Sequence, residues 1–295
     1  MKLAASELIL TPNGSIYHLH LKPGEIADTI LTVGDPERVE MISNHFDSIE
    51  VKAHHREFKT HTGTYKGKKL TVISTGIGPD NIDIVLNELD ALVNIDFESR
   101  TLKKAKTELS IIRVGTSGAL QPEIPVDSFI ASEIGIGFDN LLHFYGNTEK
   151  LFLNDFSEAF VSHTQWNPKN ATPYAIKADE TLLDLFSTVH ISKGITTTNV
   201  GFYGPQGRVL RLPLYDPSLN SKIASFRYQG KKITNLEMET AAIYGMATLL
   251  GHKALSLNVI LANRANGTFS EQPKAAMEKL ITHTLETLTL WKPFI

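Results

Sequence analysis

Two segments of this 295-residue chain share one grammar. TILTV at 29–33 is a short apolar run that meets Gly34 and then a polar turn carrying Arg38. IIRV at 111–114 is another, and Gly115, Thr116, Ser117 and Gly118 follow it at once. Buried strands that run into small residues are how open α/β sheets present an anion site at their carboxyl edge. An arginine beside such an edge offers a planar fork of donors that matches phosphate. Taken alone, Arg113 serves equally well as the partner of a structural carboxylate. The second cluster, with Arg38, tips the reading toward an anion site.

The rest of the chain keeps the same alternation. LTVIST (70–75), VDSFIASE (126–133), GITTTNV (194–200) and KALSLNVI (253–260) read as strands. A helix is expected from about Asp80 to Val93, with Ile82, Val85, Leu86 and Leu89 on one face. A second runs from Glu237 to Leu250, capped by Asn235 and ended by Gly251, and a third begins near Pro273. Residues 97–108 are polar and read as a solvated loop or helix end. NPKN at 167–170 reads as a turn. No repeat or linker divides the chain, so one α/β domain over 1–295, with residues 1–15 as an N-terminal extension, is the economical expectation.

Composition excludes several function classes. A net charge of −3, from 29 basic and 32 acidic residues, gives no basic excess for nucleic acid. There are no cysteines, which removes disulfides, thiolate nucleophiles and cysteine-ligated zinc. The sequence lacks an apolar run of membrane-spanning length and a convincing signal peptide, so a cytoplasmic protein is expected.

Eight motifs in order carry a resemblance: YHLHL (17–21), GDPERV (34–39), HHREF (54–58), TGIG (75–78), RVGTSGALQP (113–122), FYGPQGR (202–208), NLEMETA (235–241) and ANR (262–264). Together they resemble the nucleoside phosphorylase-I family, and most of all its uridine-cleaving branch. The resemblance implies a single α/β domain with a central mixed, partly barrel-like sheet flanked by helices. It implies that Gly34, Arg38, Arg113 and Thr116 hold phosphate, joined by Arg56 from a neighbouring subunit. By itself Arg56 would read as a surface ion pair with Glu57 or Glu50.

The ribose site implied is Glu237, Met238 and Glu239, with Glu239 accepting the cis hydroxyls. Acids there would equally suit the start of a helix without any ligand. His18 is the histidine that reaches a neighbour's nucleoside. On an alternating segment it also reads as a half-buried strand residue, with His20 on the same face. Phe202, Gln206 and Arg208 are implied to hold uracil: a glutamine amide complements N3–H and a carbonyl, and an arginine adds a donor. Purine-cleaving relatives carry an acid near the 261–264 stretch, where this chain has Asn263.

The expected reaction is attack of inorganic phosphate on C1′ of uridine, with Arg113, Gln206 and Arg208 as the catalytic groups. Phosphate is a co-substrate; no cofactor and no metal centre are implied. Glu57 lies where some relatives bind a monovalent cation at a subunit interface. The implied assembly is a homo-oligomer, a dimer or trimer of dimers, without nucleic-acid or membrane partners. A purine nucleoside phosphorylase and an N-ribosyl hydrolase on the same fold are the alternatives. Arg113 speaks against the hydrolase. A non-enzymatic nucleoside-binding protein would require a broken pocket. Pro79-Asp80-Asn81, the order GPQGR and the 97–108 segment depart from the family pattern.

Overall fold

TILTV forms β1 (Thr29–Val33), buried at every position, in a computed structural model that describes residues 2–291. Helix α1 (Pro36–Ser43) follows, then β2 (Ser48–His55), β3 (Phe58–Tyr65), β4 (Lys68–Ser74) and α2 (Pro79–Asn94). Next come β5 (Ile95–Asp96), β6 (Thr101–Leu102), β7 (Ser110–Ala119), β8 (Phe129–Gly137), α3 (Asn154–Thr164) and β9 (Tyr174–Lys177). The chain continues through α4 (Glu180–Leu185), β10 (Ile191–Thr198), α5 (Leu219–Ser225), β11 (Arg227–Tyr228) and β12 (Lys231–Glu237). It ends with α6 (Thr240–Leu250), β13 (Lys253–Asn263), β14 (Thr268–Phe269) and α7 (Pro273–Leu290).

Twelve of these strands make one mixed sheet in the order β11-β12-β10-β8-β13-β7-β1-β4-β3-β2, with β9 on β8 and β14 on β13. β12 also pairs with β7, placing Asn235 opposite Ala119 and Leu236 opposite Gly118. That extra pairing closes β12, β10, β8, β13 and β7 into a ring, the barrel-like part of the sheet. Closure removes the edges those strands would otherwise expose. The larger apolar core joins β1, β4, β7 and β13 to α2, α6 and α7; a second cluster unites Phe156 and Phe160 of α3 with Ile223 and Phe226. Strands alternating with covering helices thus give the α/β architecture expected from the sequence.

Several local expectations are corrected. β7 does not stop at Arg113: it runs through Gly115, Thr116, Ser117 and Gly118 to Ala119. The small residues are strand positions because a Cβ at Gly115 would fall 2.0 Å from Nη1 of Arg113. Two positions apart on one face of a strand, the arginine needs that space. Arg38 sits not in a turn but in α1, whose start is capped by Asp35 accepting from the Glu37 N–H at 2.9 Å. The helix read from Glu237 begins only at Thr240, while Asn235, Leu236 and Glu237 finish β12. Asn235 therefore caps nothing; Gly251 does end α6, in the left-handed conformation.

YHLHL is not a strand either. Tyr17–Leu21 forms a turn, with the Ile16 N–H donating to the Leu21 carbonyl and His20 at φ 53°. Glu88 of α2 holds it, accepting from the backbone N–H groups of His18 and Leu19. Residues 97–108 are largely exposed, as expected, but include the second strand of the small β5–β6 hairpin. The 167–170 turn forms, its Asn170 N–H donating to the Asn167 carbonyl at 3.0 Å. α2 and α7 match expectation within a residue or two, and Ile82, Val85, Leu86 and Leu89 are all buried.

Candidate active site

The carboxyl ends of β1, β7 and β12 meet around a cavity of about 550 Å³. Gly34, Arg38, Arg113 and Thr116 line one part of it, Glu237, Met238 and Glu239 another, and Phe202, Gln206 and Arg208 a third. These are ten of the twelve residues expected from the sequence. His18 and Arg56 lie elsewhere.

Arg113 is buried under the site. Its Nη2 contacts Oε2 of Glu239 at 2.6 Å and Oε2 of Glu237 at 3.1 Å. Its Nη1 donates to Oδ1 of Asn258 at 2.8 Å. Burial alone would lower its pKa, but the two carboxylates outweigh that and hold the guanidinium above its usual range. Glu239 is pushed up by burial and by Glu237, with Arg113 pulling the other way. Arg38 is pushed down by burial and by the nearby charge of Arg113, and its Nη1 donates to the Val114 carbonyl at 3.3 Å. Two cations thus face the phosphate end, one of them already flanked by acids.

Glu237 acts on the backbone. Its carboxylate accepts the Glu239 N–H at 2.8 Å, the Thr240 N–H at 3.1 Å and the Thr198 hydroxyl at 2.9 Å. It therefore supplies the cap for α6 that the sequence reading gave to Asn235. Oε1 of Glu239 accepts the Gly78 N–H at 2.9 Å, so that backbone donor serves the carboxylate. Asp80, unexpected in the sequence, is exposed in the first turn of α2, where a negative charge suits the helix start, and does not line the cavity.

At the far end the guanidinium of Arg208 lies 3.8 Å over the Phe202 ring. Nη1 of Arg208 donates to the Phe202 carbonyl at 2.8 Å and to Oε1 of Gln206. That bond fixes the amide of the buried Gln206, leaving its Nε2 as a donor toward a ligand. Burial and the neighbouring Arg264 push Arg208 down to about 10, still fully charged at neutral pH. Arg264 was not in the expected base set; it donates to the Gly207 carbonyl at 3.2 Å. Asn263 does not line the cavity. Its Nδ2 donates to the carbonyls of Gln121 and Ile124, and its Oδ1 accepts from the Ala265 and Asn266 N–H groups.

His18 is half-buried, its Nδ1 2.6 Å from Glu88. Arg56 is exposed at the tip of the β2–β3 hairpin with φ 54°, and no ion pair to Glu50 or Glu57 forms; Glu50 pairs with Lys69 instead. The two regions touch, because Nδ1 of His55 lies 3.2 Å from the His18 carbonyl. Sequence reading also missed Asn258, Ser117, Ile77 and Phe269. For Asn258 a signal exists: a polar residue inside the apolar run LSLNVI.

A family model described as the phosphorylase superfamily matches residues 28–289. The chain belongs to this superfamily. Among its relatives, a uridine phosphorylase of Thermococcus kodakarensis is 30% identical over 98% of this chain and 92% of its own length. A DeoD-type purine nucleoside phosphorylase of Streptococcus pyogenes is 30% identical over 92% of this chain and 97% of its own. The solved structure of a Trypanosoma brucei nucleoside phosphorylase, described as showing uridine phosphorylase activity, superposes with a TM-score of 0.87 at 31% identity, covering 97% of this chain and all of that one. The named uridine phosphorylase and the named purine nucleoside phosphorylase are each 30% identical to this chain. Among the described residues no helix is long and apolar enough to cross a membrane.

Proposed function

We propose that this superfamily member is a uridine phosphorylase, converting uridine and inorganic phosphate into uracil and ribose 1-phosphate. One observation carries the reading: Gln206, its amide fixed by Arg208, shares a cavity with Arg38, Arg113 and Glu239. Phosphate occupies the end lined by Gly34, Arg38, Arg113 and Thr116, where charge-assisted hydrogen bonds each contribute roughly 1.5–3 kcal/mol. Glu239 accepts the ribose hydroxyls, and Met238 packs against the sugar. Uracil stacks on Phe202, with Nε2 of Gln206 donating to a carbonyl and Oε1 accepting from N3–H.

As the glycosidic bond stretches, positive charge grows on the ribose and negative charge on uracil. Phosphate balances the first, and Arg208 with Gln206 the second. The work of the protein is positioning and electrostatics rather than proton transfer. Purine cleavage is the second reading, supported by the purine-cleaving relative; against it, Asn263 is engaged with backbone groups and offers no acid to a purine ring. The hydrolase reading leaves the second cation of the phosphate end, Arg38, without an anion to hold.

His18 and Arg56 complete a neighbour's site in a homo-oligomer, a dimer or a trimer of dimers. A cytoplasmic location without a resident cofactor belongs to the same proposal, and a monovalent cation beside Glu57 is the one auxiliary ion it admits. The test is incubation with uridine and with inosine, each with and without phosphate, followed by detection of free base. Uracil released only with phosphate is the expected result, and Gln206→Ala should depress that release while leaving the phosphate requirement intact. Faster cleavage of inosine than of uridine would overturn the base assignment. Cleavage without phosphate would overturn phosphorolysis.

A further inference from the structure

We infer that Asn258 is a positioning residue for phosphate capture, acting through Arg113; the inference rests on the phosphorolysis reading. Asn258 is wholly buried in β13, two residues beyond Ser256, which stands in register with Arg113 across the parallel β7–β13 pair. Its Oδ1 accepts from Nη1 of Arg113 at 2.8 Å. Its Nδ2 donates to the hydroxyls of Ser132 at 3.1 Å and Ser256 at 3.2 Å.

The amide cannot turn over. Reversal would aim an NH₂ group at a guanidinium, setting donor against donor. The Ser132 hydroxyl is committed as well: it donates to Thr196, whose own hydrogen goes to Oδ1 of Asn235 at 2.9 Å. Ser132 is therefore left to accept from Asn258. Tyr244 braces the same spot, donating to the Ser132 carbonyl and accepting the Ser256 N–H at 2.9 Å.

This clamp matters because of what faces Arg113 on its other side. Glu237 and Glu239 both draw on Nη2. Ribose hydroxyls that engage Glu239 compete with Arg113 for the same carboxylate. Without Asn258 only a long 3.4 Å contact from Nη1 to the Ser256 hydroxyl would oppose the two carboxylates, and the guanidinium would follow them. Asn258 holds Nη1 with a neutral acceptor, so Arg113 stays aimed at the phosphate end while adding no negative charge there. A carboxylate at this place would grip the arginine equally well but would add a third acid beside the anion site.

Asn258→Asp tests the difference. It keeps the shape and an acceptor, and the Ser256 hydroxyl remains able to donate to it. Arg113, 2.8 Å from that oxygen, favours the ionised form, which adds a third acid beside the anion site. The phosphate KM of the variant should exceed that of wild type about tenfold or more at neutral pH, with the uridine KM little changed. A ratio near one overturns the inference. Asn258→Ser, which draws the acceptor back from Nη1 without adding charge, gives a second reading. Inorganic phosphate alone should raise its melting temperature less than it raises that of wild type, and an undiminished shift overturns the inference as well. Wild-type enzyme that cleaves uridine without phosphate would instead defeat the parent reading.

Discussion

Arg113 carries two duties that pull in opposite directions. It neutralises the buried carboxylates of Glu237 and Glu239, and it lines the end of the cavity proposed for phosphate. Removing a buried partner leaves uncompensated charge, at a cost of roughly 3–5 kcal/mol. Arg113→Ala is therefore expected to unfold at markedly lower urea than wild type, which confounds any assay of its rate. Arg113→Lys keeps the charge and loses the fork. That variant should fold, with kcat/KM for phosphate reduced about 100- to 1000-fold; wild-type turnover would remove Arg113 from the phosphate role. The arginine and its neighbours were readable from local motifs because Arg113, Thr116 and Glu239 sit in short signatures. Asn258 shows in the sequence only as a polar residue in an apolar run; its role appears when β13 lies beside β7 in the register that sets Ser256 against Arg113. Nor could NLEMETA reveal that a glutamate side chain, not Asn235, takes the first free N–H groups of α6: both residues suit a cap, and strand pairing at 235–236 decides between them.

At the scale of the element, β7 depends on Gly115. Gly115→Ala would set a methyl group 2.0 Å from Nη1 of Arg113, inside any allowed contact. The guanidinium must leave Glu239 or the strand must bend. Overpacking of this kind costs about 1–3 kcal/mol, so thermal unfolding should come earlier and phosphorolysis should fall steeply; an active, equally stable variant would contradict the packing described. The end of β8 supports a pH prediction. Asp139, just beyond that strand, is pushed up by burial, partly offset by hydrogen bonds from Tyr174 and the Leu141 N–H. A folded-state pKa above the ordinary 3.8 means that the folded protein binds more protons. Its contribution to stability is full below about pH 4 and is lost as pH rises through the raised value. Asn cannot ionise, so Asp139→Asn should flatten that part of the slope in urea unfolding at pH 4, 5.5 and 7. An unchanged slope would show that Asp139 does not carry it. Of the elements themselves, those with long periodic faces, α2 and α7, were plain in the sequence. Strand ends were not, because glycine and threonine inside β7 look like a turn until the space required by Arg113 is known.

At the scale of the whole molecule, His18 and Arg56 stand on one connected surface, away from the cavity of their own chain. If they complete a neighbour's site, Arg56→Ala and Arg113→Lys subunits, each nearly inactive alone, should recover activity when mixed. One site of the hybrid then holds both native arginines. Mass spectrometry must find the hybrids; verified hybrids without recovery would count against a shared site. A final consequence comes from where the two ends of the cavity are anchored. Arg113 and Thr116 belong to β7, which is paired with β1, β13 and β12. Phe202, Gln206 and Arg208 belong to the stretch between β10 and α5, held by a 3-10 turn, by bonds to the Tyr203 carbonyl and by two side chains, Asn220 donating to the Gln206 carbonyl and Arg264 to the Gly207 carbonyl, rather than by sheet pairing. The two ends therefore answer to selection separately. A lineage could rewrite residues 202–208 for another base without disturbing a barrel strand, whereas a change at the phosphate end must be accommodated by every strand that β7 touches.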